Sequence, residues 1–172
     1  EIGGAGTSTS ALGYGGWSGT ANVDSTETYD GSSWTETANL NTARQCWGCG
    51  ASNTSALNVG GEPPTSDIVE EWDGSSWTEG ADLNAVRSYH GAAGTATAAL
   101  CFGGIPSHLA TTEEWDGTSW TEVADLATAV KSNVGAGLQT AALSIGGDRP
   151  PSTNATEEWN YITTTPPGAQ NV

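Results

Sequence analysis

Few residues in this chain have the types and spacing for chemistry, and most of them come in sets. Carboxylate pairs stand at Glu70-Glu71, Glu113-Glu114 and Glu157-Glu158. Adjacent carboxylates could serve acid–base catalysis or bridge calcium. A catalytic pair should break the symmetry of a repeat, and these recur in register, so they read as an acidic outer rim. Cys46 and Cys49 form a C-x-x-C around Trp47. On a strand, residues three apart point to opposite faces, which argues against a local disulfide or redox motif. No second C-x-x-C completes a zinc set, so the cysteines read as small buried hydrophobes. The two histidines, His90 and His108, lie on different segments. No Ser-His-Asp set can be assembled. The expectation is a chain that is not an enzyme and needs no metal or cofactor.

The residues that vary lie in loops. Four segments follow Gly-Gly pairs: Trp17-Ser18-Gly19-Thr20, Glu62-Pro63-Pro64-Thr65-Ser66, Ile105-Pro106-Ser107-His108-Leu109 and Asp148-Arg149-Pro150-Pro151-Ser152. Loop variation on a constant scaffold builds a binding surface. Trp17, Pro63, His108 and Arg149 are the ligand-binding candidates, with Trp17 suited to stacking on a sugar.

The scaffold that must position these loops repeats every 43 residues. Ala56-Leu57-Asn58-Val59-Gly60-Gly61 returns as Ala99-Leu100-Cys101-Phe102-Gly103-Gly104 and as Ala142-Leu143-Ser144-Ile145-Gly146-Gly147. Locked to it is Tyr29-Asp30-Gly31-Ser32-Ser33-Trp34-Thr35-Glu36, repeated from Trp72 to Glu79 and from Trp115 to Glu122. Between Arg44 and residue 84 the pattern predicts strands over Gln45 to Ser52, Thr54 to Gly60, Asp67 to Asp73 and Ser76 to Gly80. Asp73-Gly74-Ser75-Ser76 predicts a tight hairpin. No segment has helical periodicity. Four short strands per period of this length predict an all-β propeller of about four four-stranded blades. The blades fall at about 1–40, 41–84, 85–127 and 128–161, followed by a Pro/Thr-rich tail or degenerate outer strand over 162–172.

These positions resemble kelch repeats. The marks are the Gly-Gly doublet closing strand two (Gly60-Gly61, Gly103-Gly104, Gly146-Gly147) and an aromatic on strand three (Tyr29, Trp72, Trp115, Trp159). A Trp on strand four (Trp34, Trp77, Trp120) and an Arg ten residues later (Arg44, Arg87) complete the set. The aromatic-to-Trp spacing of five is shorter than the family's usual seven, and Lys131 stands one place off the third Arg position. All these residues take structural roles. The glycines let backbones crowd near the axis. The tryptophans fill the space between blades. The arginines bond carbonyls or a carboxylate of the neighbouring unit. Kelch rings usually hold five to seven blades, so the blades here form a small ring, part of a larger one, or part of a ring shared with other chains. The sequence holds no Met and reads as a processed product or a piece of a longer chain. Some kelch propellers are enzymes, and a fragment of one is the remaining alternative.

Twenty acidic residues against four basic ones give a net charge of −16. Such a surface repels nucleic-acid backbones and anionic membranes. No apolar run is long enough to span a bilayer as a helix. The expected function is a non-enzymatic extracellular binding or adhesion module. Its expected partner is a protein or glycan on a cell surface. The Trp-Asp-Gly-Ser-Ser-Trp-Thr-Glu arrays are similar to repeats in tail and virion-surface proteins of environmental bacteriophages, which implies host-surface recognition from a virion. A structural unit that completes a ring or shell with other copies of itself, or with further blades, is the alternative.

Overall fold

The structure, a computed structural model, describes residues 1–149, 154–160 and 168–171. Pro150, Pro151 and Ser152 of the fourth candidate loop lie outside the described residues, as do residues 161–167 and 172 of the tail. All regular structure among the described residues is strand. The first blade comprises β1 (Gly3–Thr7), β2 (Ser10–Tyr14), β3 (Thr26–Tyr29) and β4 (Trp34–Glu36). The second comprises β5 (Gln45–Ser52), β6 (Ser55–Glu62), β7 (Ser66–Trp72) and β8 (Trp77–Glu79). The third comprises β9 (Gly91–Thr95), β10 (Ala98–Phe102), β11 (Thr112–Trp115) and β12 (Trp120–Val123). The fourth comprises β13 (Val134–Leu138), β14 (Ala141–Ile145), β15 (Thr156–Asn160) and β16 (Gly168–Asn171). Each blade is a four-stranded antiparallel sheet in chain order, and the four are arranged as a four-bladed β-propeller. β16 completes the last blade as its outer strand, paired with β15.

Local chemistry sets the hairpins. Asp73 Oδ1 accepts the backbone N–H of Ser75 at 2.8 Å and of Ser76 at 2.9 Å, and Gly74 turns with φ of 98°. This Asx turn places Trp72 opposite Trp77, with ring centroids 5.4 Å apart. Asp30 and Asp116 build the same turn. Hydrogen bonds from Ser32 and Ser33 hold the Asp30 carboxyl down at about 2.

The Gly pair brings the backbones of neighbouring blades together. Gly60 and Gly61 both have positive φ, and the Gly61 N–H donates to the Arg87 carbonyl of the next blade at 3.0 Å. Gly16 donates likewise to the Arg44 carbonyl, and Gly104 to that of Val130. A Cβ on Gly103 would stand 2.8 Å from the Val130 carbonyl oxygen, so no side chain fits there.

The carboxylate pairs are not an outer rim. Glu70, Glu113 and Glu157 are buried, while Glu71 and Glu114 are half-buried on the opposite face. The arginines do not reach into the neighbouring unit either. Arg44 pairs with Glu70 of its own blade, and Arg87 pairs with Glu113 at 2.7 Å. Asn41 and Asn84 add backbone and side-chain N–H bonds to the same carboxylates. The lead-in Leu40-Asn41-Thr42-Ala43-Arg44, repeated as Leu83-Asn84-Ala85-Val86-Arg87, is thus a clamp on a buried glutamate.

The core lies in the seams between blades. Leu12, Tyr14, Leu40, Trp72 and Trp77 fill the first seam. Leu57, Val59, Val69, Trp115 and Trp120 dominate the second, and Leu100, Phe102, Val130 and Trp159 the third. Burying one such Trp removes about 200 Å² from water and contributes about 5 kcal/mol before entropy is counted. The inner strands β1, β5, β9 and β13 pack in succession, and no comparable packing joins β13 back to β1. Trp34 therefore departs from its expected inter-blade role. It is 51% exposed, against 5% for Trp77 and 6% for Trp120.

Candidate functional site

Where the inner strands of all four blades begin, they surround a hollow of about 200 Å³. Glycines on each strand keep its wall open, and Ile2, Trp47, His90, Asn133 and Val134 supply its side chains. Three of these sit where inner strands begin, close to the Gly pairs. A Cβ on Gly60 would meet the His90 ring, and one on Gly103 would meet Asn133. Cys46 takes the corresponding place beside Gly15. β5 slips register between Gln45 and Trp47, which shifts Trp47 relative to His90.

Trp47 stacks at a tilt on Tyr89, with ring centroids 4.9 Å apart, and its ring lies 6.2 Å from that of His90. Tyr89 is held at φ of 54°, a left-handed conformation costly for a bulky residue. Burial, then the charge of Glu62, raises the Tyr89 pKa. Ser88 Oγ donates to Glu62 Oε2 at 3.4 Å.

His90 is 2% exposed, and neither ring nitrogen has a partner among the described residues. Burial, then the nearby Arg87, pushes its pKa down to about 3, so the imidazole is neutral at physiological pH. Asn133 donates to Ser144 Oγ at 2.9 Å but leaves its own oxygen unbonded. The hollow thus combines the Trp47 ring with the neutral side chains of His90 and Asn133, and Tyr89 stands beside it against Trp47. Such a set recognises a polar, uncharged molecule. No group of His, Cys, Asp and Glu that could hold a metal ion occurs among the described residues. The three cysteines are free and buried, and burial raises the Cys49 and Cys101 thiols to about 12.

The loop candidates from sequence go to several places. Trp17 is 50% exposed, in a loop whose Asn22 donates to the Glu62 carbonyl at 3.3 Å. That loop therefore leans on the residue beside Tyr89. Pro63 is exposed and borders a separate hollow with Arg44 and Ile68. His108 faces Asp148 at 3.3 Å, as Lys131 does, and ties the third loop to the fourth. Arg149 is not offered to solvent. It is 1% exposed and pairs with Glu157, replacing the missing lead-in arginine of the fourth blade. Trp47, Tyr89 and Asn133 were not among those candidates. One signal could have found two of them: Trp47, His90 and Asn133 recur 43 residues apart, a column where residue type changes on a constant frame.

Compared with models of known protein families and with curated proteins, the chain matches none.

Proposed function

We propose that this chain is a non-enzymatic binding module that holds a neutral saccharide at the mouth of its central hollow. The Trp47–Tyr89 pair carries this reading, since it offers an aromatic face beside polar atoms without partners. Sugar rings present C–H faces to aromatic rings and hydroxyls to carboxylates and amides. The acidic surface and Glu62 disfavour anionic glycans. The kelch-like repeats, and their similarity to repeats on phage tails and virions, support a place outside a cell or on a virion surface, with a host-surface glycan as partner.

Calorimetric titration with a panel of neutral and sialylated oligosaccharides tests this. Neutral members bind, and Trp47→Ala weakens them about tenfold or more at an unchanged melting temperature. Binding that survives Trp47→Ala, or that favours the sialylated members, refutes it.

A further inference from the structure

The first two seams share one design. A strand-four Trp of one blade lies on strands two and three of the blade before it. Trp77 rests on Leu12, Tyr14 and Thr26, and its Nε1–H donates to Thr26 Oγ1 at 2.9 Å. Those three receiving residues are 2%, 0% and 0% exposed. Trp120 rests on Leu57, Val59 and Val69, all fully buried.

The fourth blade carries the same receiving face without a Trp on it. Leu143, Ile145 and Thr156 stand at the register positions of Leu12, Tyr14 and Thr26. Leu143 is 38% exposed, Ile145 39%, and Thr156 half-buried. Gly146, the counterpart of Gly60, would meet nothing among the described residues with an added Cβ, whereas Gly60 abuts the next blade's lead-in carbonyl. The first blade carries the other half. Trp34, in the same Ser-Ser-Trp-Thr-Glu context as Trp77, is exposed beside Ile2, which is itself 71% exposed.

We infer that these two faces bind each other between molecules, so that a second copy of this chain docks head to tail. Trp34 of one copy lies on Leu143 and Ile145 of the other and donates its Nε1–H to Thr156 Oγ1. The contact continues the internal seam in kind and polarity, and both halves are already present on one chain. The faces differ, so the contact is heterologous, closing into a ring or extending by repetition. A net charge of −16 on each copy opposes the approach, so association strengthens with salt.

Sedimentation velocity on the whole chain, at about 5 to 200 μM and in low and about 0.5 M salt, tests this. The chain associates, more tightly at high salt. Trp34→Ala and Leu143→Arg each weaken association about 50-fold or more, at unchanged melting temperature. Ile145→Lys provides a second receiving-face variant if Leu143→Arg misfolds. Each variant keeps one intact face, so an equimolar mixture of Trp34→Ala with a receiving-face variant recovers a one-to-one complex. A chain that stays monomeric throughout overturns the inference. So does association that survives Trp34→Ala, or variants that fail to complement.

Discussion

Glu70 and Glu71 are neighbours in sequence and lie on opposite faces of β7. Glu70 is enclosed with Arg44 and Asn41, while Glu71 stands half-buried with its pKa raised by desolvation. Removing one member of a buried ion pair leaves the other charge uncompensated. Glu70→Gln should therefore cost about 3 to 5 kcal/mol in urea unfolding, and Glu71→Gln less than about 0.5 kcal/mol. Equal losses would show that the clamp does not hold the blade. The doublets looked like a surface rim because three repeats carry one in register, yet period-two alternation alone could have split each pair. Arg149 was less legible, since only the folded loop shows its guanidinium arriving where the shifted Lys131 does not.

His90 sets a pH dependence. Its folded pKa of about 3 lies below the ordinary value of 6.5, so the unfolded chain binds the extra proton. Stability is then complete above pH about 6.5 and falls as pH drops toward 3, by at most about 1.4 kcal/mol per pH unit. Glu71 and Glu114 act with the opposite sign, their pKa values being raised from 4.5, so the comparison belongs above that range. Between pH 7 and about 5.5 the chain should lose about 1 kcal/mol, and His90→Asn, which copies Asn133, should abolish that loss. An unchanged slope in His90→Asn would place the proton elsewhere.

At the level of strands and seams, the repeat was readable almost to the residue. The second blade has its strands within two residues of where alternation and turn chemistry put them. What the repeat hides is variation inside a seam. Trp77 finds the hydroxyl of Thr26, but Val69 stands at the equivalent position under Trp120, whose buried Nε1–H has no partner among the described residues. Val69→Thr keeps the shape and supplies the acceptor. It should raise stability by about 0.5 to 1.5 kcal/mol if the hydroxyl reaches Trp120. A loss of similar size would mean that the hydroxyl is buried unbonded, and that the two seams are not equivalent in geometry.

Across the whole molecule, identical motifs meet different surroundings. Trp34 and Trp77 share their local sequence, and only the presence of a neighbouring blade separates 51% exposure from 5%. Exposure of this kind belongs to the ring rather than to the repeat, so no single motif could announce it. The hollow follows the same logic. Its frame is repeated glycine and strand, and the larger side chains on its wall, among them Trp47, His90 and Asn133, stand where residue type departs from the repeat. The most direct test is hydroxyl-radical footprinting of the tryptophans, with and without a saturating neutral oligosaccharide. Trp47 should react in the free protein and become protected on binding, while Trp72, Trp77, Trp115 and Trp120 stay protected throughout. Unchanged Trp47 reactivity with sugar bound would contradict the account, because the ligand would then sit away from the central mouth.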